Sequence, residues 1–269
     1  MWRLLPLLAS LAWLPMPASG FDHSRWSGLL AEHLVVSQDG RVSQVDYRGM
    51  AGDIGKLDAY LSLLAGVPQG EFSGWPEDVR LAFLINAYNA ATVRLILTQF
   101  PDLDSIRDLG WLFRSPWKKE FVSLFGKQYS LDDIEHGMIR GRFSDPRIHF
   151  AVNCASVGCP MLREEAYRGA DLDRQLEEQT RRFLSDRSRN RLSGPGTLAL
   201  SSIFKWYRED FANGWRGHES LESFLSDYRG ALDLTPSQAD ALRDDRMAIE
   251  FLDYDWRLND AAAATRLKD

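Results

Sequence analysis

Between Val79 and Leu97 the chain reads VRLAFLINAYNAATVRLIL, introduced by Pro76 to Asp78 and closed by Phe100-Pro101. A helix that is apolar nearly all round its circumference has no solvent face, so it belongs in the centre of a domain. Every other segment must therefore pack around this one. Nine Trp, eight Tyr and fourteen Phe within 269 residues supply the large side chains for such a core, and the apolar share of 45% with 26% charged residues excludes disordered and fibrous classes. With 38 acidic against 32 basic residues the net charge is −6, which disfavours nucleic acid as a partner.

Further helices are predicted around it. Ser130 with Asp133 has the form of a capping box and starts a helix reaching Arg140. Asp171 to Arg187 is amphipathic, Ser201 or Ser202 caps a helix towards Phe211, and Thr235-Pro236 opens another by the cap-then-proline rule. Strands are fewer. Arg147 to Asn153 alternates, with Ile148, Phe150 and Val152 on one face and His149, Ala151 and Asn153 on the other. Leu198 to Leu200 and Met247 to Tyr254 are further candidates, while Gly66 to Pro76 and Ser188 to Thr197 read as loops. The sum is an α+β fold: a single compact domain, mostly helical around a small mixed or antiparallel sheet.

The N-terminus has a separate meaning. Residues 1–20 read MWRLLPLLASLAWLPMPASG: one positive charge at Arg3, an apolar run from Leu4 to Leu14, and small residues Ala18 and Gly20 before Phe21. This is the layout of a secretory signal peptide, too short to span a bilayer. The expected organisation is signal peptide 1–20, globular domain 21–259 and flexible tail 260–269. The expected location is the periplasm or the cell exterior, not spanning a membrane. An oxidising compartment permits disulfides.

Polar residues in apolar surroundings mark where chemistry is expected. Cys154 and Cys159 follow the predicted strand in Asn153-Cys154-Ala155-Ser156-Val157-Gly158-Cys159-Pro160. They read as a disulfide, as two buried thiols, or with Cys154 as a nucleophile. A thiol near pKa 8.5 needs a histidine, a cation or a helix terminus to become one. Of five histidines, His136 and His149 lie nearest in ordered contexts, and either is a candidate base. Glu135 falls inside the apolar arc of Leu131, Ile134, Met138 and Ile139, where a carboxylate needs a partner or a function. That partner is an arginine such as Arg140, Arg142 or Arg147, or else Glu135 orients a histidine. Asn86 and Asn89 are amides on one face of the most apolar helix, either satisfied by backbone or lining a binding site. Arg140 is a candidate anion anchor. The catalytic candidates are thus Cys154, His136, His149 and Glu135, and the binding candidates Asn86, Asn89, Arg140, Asn153 and Cys159. Cys-x4-Cys matches the first half of a zinc site, and a set completed by His or Glu after folding is a further option, although the histidines lie upstream and singly spaced; no metal residues are assigned and no cofactor is expected. The tryptophans Trp111, Trp117, Trp206, Trp215 and Trp256 are scattered and read as core residues.

The stretches LAFLINAYNA (81–90), SLDDIEHGMIR (130–140), DPRIHFAVNC (145–154), IFKWY (203–207), the Cys159-Pro160 pair and YDWRLN (254–259) together resemble the domain of unknown function 547 family. The resemblance runs from about residue 45 to residue 259, without departure at the polar positions named above. It implies a single domain also found in eukaryotic proteins, some of them beside glutaredoxin-like domains, and no established activity.

Three functions are therefore open. One is a cysteine-dependent enzyme of acyl transfer or thiol chemistry acting on a small molecule or peptide. The others are a redox protein cycling Cys154 and Cys159, and a non-catalytic binding or assembly module of the envelope. Oligomeric state is not legible.

Overall fold

The central helix forms as its sequence demands. In the computed structural model, which describes residues 20–110 and 115–262, α5 runs from Glu77 to Ile96. Glu77 and Asp78 occupy its first turn and Arg94 its last, complementing the helix dipole, and every residue from Leu81 to Val93 is buried. Before it come α1 (Ser24–His33), the hairpin β1 (Leu34–Val36) and β2 (Ser43–Val45), α2 (Tyr47–Gly52), α3 (Ile54–Ala65) and α4 (Gln69–Gly74). Residues of these elements share one hydrophobic core with α5, together with the hairpin β3 (Val122–Leu124) and β4 (Lys127–Tyr129). The expected signal peptide, apart from Gly20, lies outside the described residues, as do Trp111 and residues 263–269 of the expected tail. Among the described residues no helix is long and apolar enough to cross a membrane.

A second core lies C-terminal. It forms around α6 (Leu172–Ser185) and a three-stranded mixed sheet of β5 (Arg191–Gly194), β6 (Thr197–Ser201) and β7 (Ala248–Leu252). The middle strand β6 pairs antiparallel with β5 and parallel with β7. The short helices α7 (Ile203–Trp206), α8 (Leu221–Asp227) and α9 (Pro236–Arg243) close this side. Thr235 caps α9 through a reciprocal capping box with Gln238, and Pro236 sits at its first turn. The class is α+β, with about 51% helix and 12% strand in small sheets, so the helices carry the architecture.

Three local expectations are corrected. Arg147 to Asn153 is not a strand: Pro146–Phe150 is a 3-10 helix whose N-cap Asp145 accepts from the Arg147 N–H at 3.0 Å. The segment lies where the two cores meet, with Phe150 in the C-terminal core and Ile148, Ala151 and Val152 in the other. Burial on both sides produced the apparent alternation. Gly66 to Pro76 contains α4, and Ser188 to Thr197 contains β5 paired with β6. The Ser130 capping box is present, with Asp133 N–H donating to Ser130 Oγ at 3.1 Å and Ser130 N–H to Asp133 Oδ2 at 2.9 Å. The turns after it, Asp133–Ile139, are π-helical, and the Arg140 N–H reaches back five residues to the Glu135 carbonyl at 2.8 Å.

One buried histidine in the N-terminal core makes stability depend on pH. Burial pushes the His23 imidazole down to about 4 and the Tyr60 phenol far up, so the Tyr60 hydroxyl donates to His23 Nδ1 at 2.7 Å. An unfolded histidine titrates near 6.5, so between those values the unfolded chain binds the extra proton. The contribution is complete above about pH 6.5 and is lost as pH falls through 4, a decline of roughly 3 kcal/mol at 1.36 kcal/mol per tenfold. Urea unfolding at pH 7 and pH 4 is expected to show this fall, and a His23→Gln chain a shallower one. Equal slopes for the two chains would refute it.

Candidate functional site

The loop from Asn153 to Pro160 is built by three sets of hydrogen bonds. Asn153 closes it, donating from Nδ2 to the Pro160 carbonyl and accepting the Ala155 N–H on Oδ1, both at 2.8 Å. Asn89 on α5 anchors its start: Nδ2 donates to the Ala151 carbonyl at 2.9 Å and Oδ1 accepts the Asn153 N–H at 2.8 Å. The C-terminal segment lies alongside, with Val157 N–H bonded to the Arg257 carbonyl and Gly158 N–H to the Asp255 carbonyl, both at 2.8 Å. Ala155 is held at φ +61°, in the left-handed region that L residues avoid. Gly158 lies so close to the Tyr254 ring that a Cβ there would come within 2.8 Å of it.

This folding brings the Cys154 and Cys159 Cα atoms to 6.2 Å, and the two sulfurs are joined as a disulfide. The pair is asymmetric. Cys159 is buried at 4% exposure, whereas Cys154 is half-buried. Cys159 Sγ accepts from the Cys154 N–H at 2.9 Å, from the Tyr254 hydroxyl at 3.2 Å and from Ser156 Oγ at 3.6 Å. Cys154 Sγ lies 3.1 Å from Ser156 Oγ and 3.2 Å from the Tyr254 hydroxyl. Burial pushes the Tyr254 phenol well up, which keeps its proton available as a donor.

Across from the sulfurs stands a network of ionisable groups. His149 is buried, stacks on Tyr207 with ring centroids 4.0 Å apart, and faces Asp210 Oδ2 through Nε2 at 2.7 Å. Burial lowers its pKa against the opposing pull of Asp210. Hydrogen bonds from His149 and Arg140 outweigh burial at Asp210 and hold its carboxyl well below the usual range. The ionised Asp210 therefore accepts the Nε2 proton, which leaves Nδ1 of a neutral ring as the acceptor. Arg140 clamps Asp210 from Nε at 2.6 Å and Nη2 at 2.9 Å. Glu135, expected to meet an arginine, accepts instead from the Tyr207 hydroxyl at 2.9 Å. Tyr88 lies against the same carboxylate, its phenol pushed up by burial and then by Glu135.

A cavity of about 290 Å³ opens between these two halves. Of the residues singled out in the sequence, Glu135, His136, His149, Cys154 and Cys159 line it together. Arg140, Asn86, Asn89 and Asn153 do not. Arg140 orients His149 through Asp210, Asn89 and Asn153 shape the cysteine loop, and Asn86 bridges the Tyr167 backbone at 2.8 and 3.0 Å. Sequence reading missed Tyr207, Tyr254, Ser156 and Asp210. It also placed Trp117, Trp206 and Trp256 in the core, whereas all three line the cavity and Trp206 is 46% exposed. Four of these sit in the IFKWY and YDWRLN stretches, which carried the signal; Asp210 carried none. No hydrogen bond joins either imidazole to a sulfur among the described residues. Bonded to each other, the sulfurs offer no thiolate to a metal. The group Glu32, His33 and Asp53 lies elsewhere, on α1 and just before α3, and Lys56 Nζ already sits 2.9 Å from Asp53 and 3.5 Å from Glu32.

Residues 72–184 match the sequence model of a family described as a protein of unknown function, DUF547. Over that stretch the chain is similar to the DUF547 family. No curated protein and no solved structure matches. The match is narrower than the resemblance, and its limits divide the site. The DUF547 stretch supplies Glu135, His136, His149 and both cysteines, while Asp210, Tyr207, Tyr254 and two of the tryptophans come from beyond it.

Proposed function

We propose that this is an exported thiol–disulfide exchange protein with Cys154–Cys159 as its working bond. The observation that carries the reading is the asymmetry of the pair on the cavity wall: Cys154 is half-buried, whereas Cys159 is 4% exposed and its sulfur also accepts a backbone N–H, that of Cys154. A substrate thiolate attacks Cys154 Sγ, a mixed disulfide forms, and the electron pair of the broken bond leaves on Cys159 Sγ. The Cys154 N–H and the hydroxyls of Tyr254 and Ser156 stabilise that thiolate as it develops. A second substrate thiolate then attacks the substrate's own sulfur in the mixed disulfide and releases Cys154 as a thiolate. The substrate dithiol ends as a disulfide and the protein as a dithiol, so electrons balance without another reactant. His149 and Glu135 line the same cavity and are the groups that accept the substrate's thiol protons.

The signal-peptide layout of residues 1–20 supports a periplasmic or extracellular setting in which the protein meets its substrate oxidised. A second reading is favoured by the His149–Asp210 pair: in the dithiol state Cys154 acts as an acyl-transfer nucleophile, with His149 as base and Asp210 orienting it.

Thiol titration in denaturant tests the first reading. Protein folded under an oxidising glutathione mixture is expected to show no free thiol, and two after native-state treatment with dithiothreitol. Two free thiols at the outset would refute exchange. So would a bridge that dithiothreitol does not reduce in the folded protein, leaving a non-catalytic module.

A further inference from the structure

The described lining of the cavity carries carboxylates and aromatic faces and no lysine or arginine. Asp132 and Glu135 are its carboxylates. Among the described residues neither is paired with a lysine or an arginine. Glu135 is held by the Tyr207 hydroxyl, and Asp132 faces His136 Nε2 at 3.5 Å. His136 Nδ1 lies 2.9 Å from Arg140 Nη1. A guanidinium only donates, so Nδ1 accepts from Arg140, and Nε2 is left to carry the N–H that faces Asp132. His149 is neutral for the reason given above. Among the described residues the nearby cations stand outside the lining with partners of their own: Arg140 is bidentate on Asp210 and donates to His136, Arg107 lies over Trp256, and Arg189 pairs with Asp186 and the Val157 carbonyl.

The opposite wall is a corner of three rings. Tyr254 lies 4.8 Å from Trp206 and 4.5 Å from Trp256, and the two indoles are 5.8 Å apart. Aromatic faces attract cations through their quadrupole. Rings of this site already do so within the chain: Arg107 lies over Trp256 at 5.2 Å and Arg140 over Tyr207 at 4.7 Å.

We infer that the cavity recognises an organic cation, an ammonium or guanidinium on an apolar stem, held between the aromatic corner and the carboxylates of Asp132 and Glu135. A volume of about 290 Å³ takes a group of side-chain size. Resting on the exchange reading, this names the substrate class as a thiol with a basic group beside it, for example a basic residue flanking a cysteine. The neighbouring positive charge also favours the thiolate that attacks Cys154.

Titration calorimetry with N-acetyl-lysine methylamide and N-acetyl-arginine methylamide, against neutral N-acetyl-norleucine methylamide, tests the binding apart from the chemistry. The cationic probes are expected to bind about tenfold more tightly than the neutral one, corresponding to one ion pair or cation–π contact in a partly desolvated site. Asp132→Asn, at a side chain exposed enough to leave the fold intact, is expected to remove most of that preference, as is Glu135→Gln. Trp206→Ala is expected to weaken both cationic probes. Equal affinity for the norleucine probe, absence of binding by all three, or a preference unchanged in both carboxylate variants would overturn the inference. Dithiothreitol cycling without cation binding leaves exchange standing and removes this inference. Cation binding to a bridge that does not cycle does the reverse.

Discussion

Cys154→Ser is expected to reduce thiol exchange to the uncatalysed rate, whereas Cys159→Ser is expected to trap a substrate supplied in its disulfide form as a stable mixed disulfide. The difference follows from where the two sulfurs sit. Both cysteines border the cavity, but Cys154 is the more exposed of the two and its sulfur is the one open to an incoming thiolate, while Cys159 is buried at 4% exposure and serves as leaving group and resolving thiol. Without Cys154 no covalent step takes place. Without Cys159 there is no internal disulfide, but the Cys154 thiolate still attacks a substrate disulfide, joining one substrate sulfur and releasing the other as a thiolate, and no neighbouring thiol returns to free Cys154. Tyr254→Phe provides a graded version. Its hydroxyl is one of three donors to Cys159 Sγ, and a hydrogen bond to a charged acceptor contributes about 1.5–3 kcal/mol. Losing it destabilises the reduced form and is expected to lower the reduction potential by about 30–60 mV for a two-electron couple. Equilibration against glutathione with mass-spectrometric readout measures both effects. Equal trapping by the two serine variants, or a potential unmoved in Tyr254→Phe, would show that the asymmetry is not used.

The parts of this fold that were legible in the sequence are those whose pattern has one physical cause. The run around Asn86 and Asn89 has no polar face, and only a central helix accommodates that. Thr235-Pro236 caps, and α9 begins there. The polar outliers Glu135, His136, His149, Cys154 and Cys159 were visible because each is costly in apolar surroundings, and the structure places them around one cavity. The illegible parts have two causes or depend on distant segments. Alternation in Arg147 to Asn153 is what a strand shows, but a 3-10 turn wedged between two cores has the same composition, and Asp145-Pro146 was its only local mark. The π-helical widening at Glu135 leaves no trace in a pattern only two turns long. Trp206 and Trp256 look like any core tryptophan until Cys154 is known to face them. Asp210 is one of many surface-type acids, and only the tertiary approach of His149 gives it a role.

Asn89→Ala is expected to cost about 4 kcal/mol of stability and to move the redox potential as well. The side chain satisfies two buried backbone groups, the Ala151 carbonyl and the Asn153 N–H, and each orphaned group costs about 1–3 kcal/mol. Water does not replace it readily, because Asn89 is 2% exposed and Ala151 and Asn153 are 1% and 4% exposed. Asn86→Ala is the matched control. It likewise orphans two backbone groups, both on Tyr167, and is expected to destabilise to a similar extent. Only Asn89 holds the residues that lead into Cys154, so only its loss is expected to loosen the donors around Cys159 Sγ and lower the potential. Asn89→Asp keeps the acceptor for Asn153, removes the donor to Ala151 and adds a buried charge. It is therefore expected to be at least as damaging as alanine at pH 7. Urea denaturation ranks the three chains for stability, and glutathione equilibration separates them by potential. A potential shift of the same size in Asn86→Ala would mean that Asn89 acts through stability alone and not through the cysteine loop.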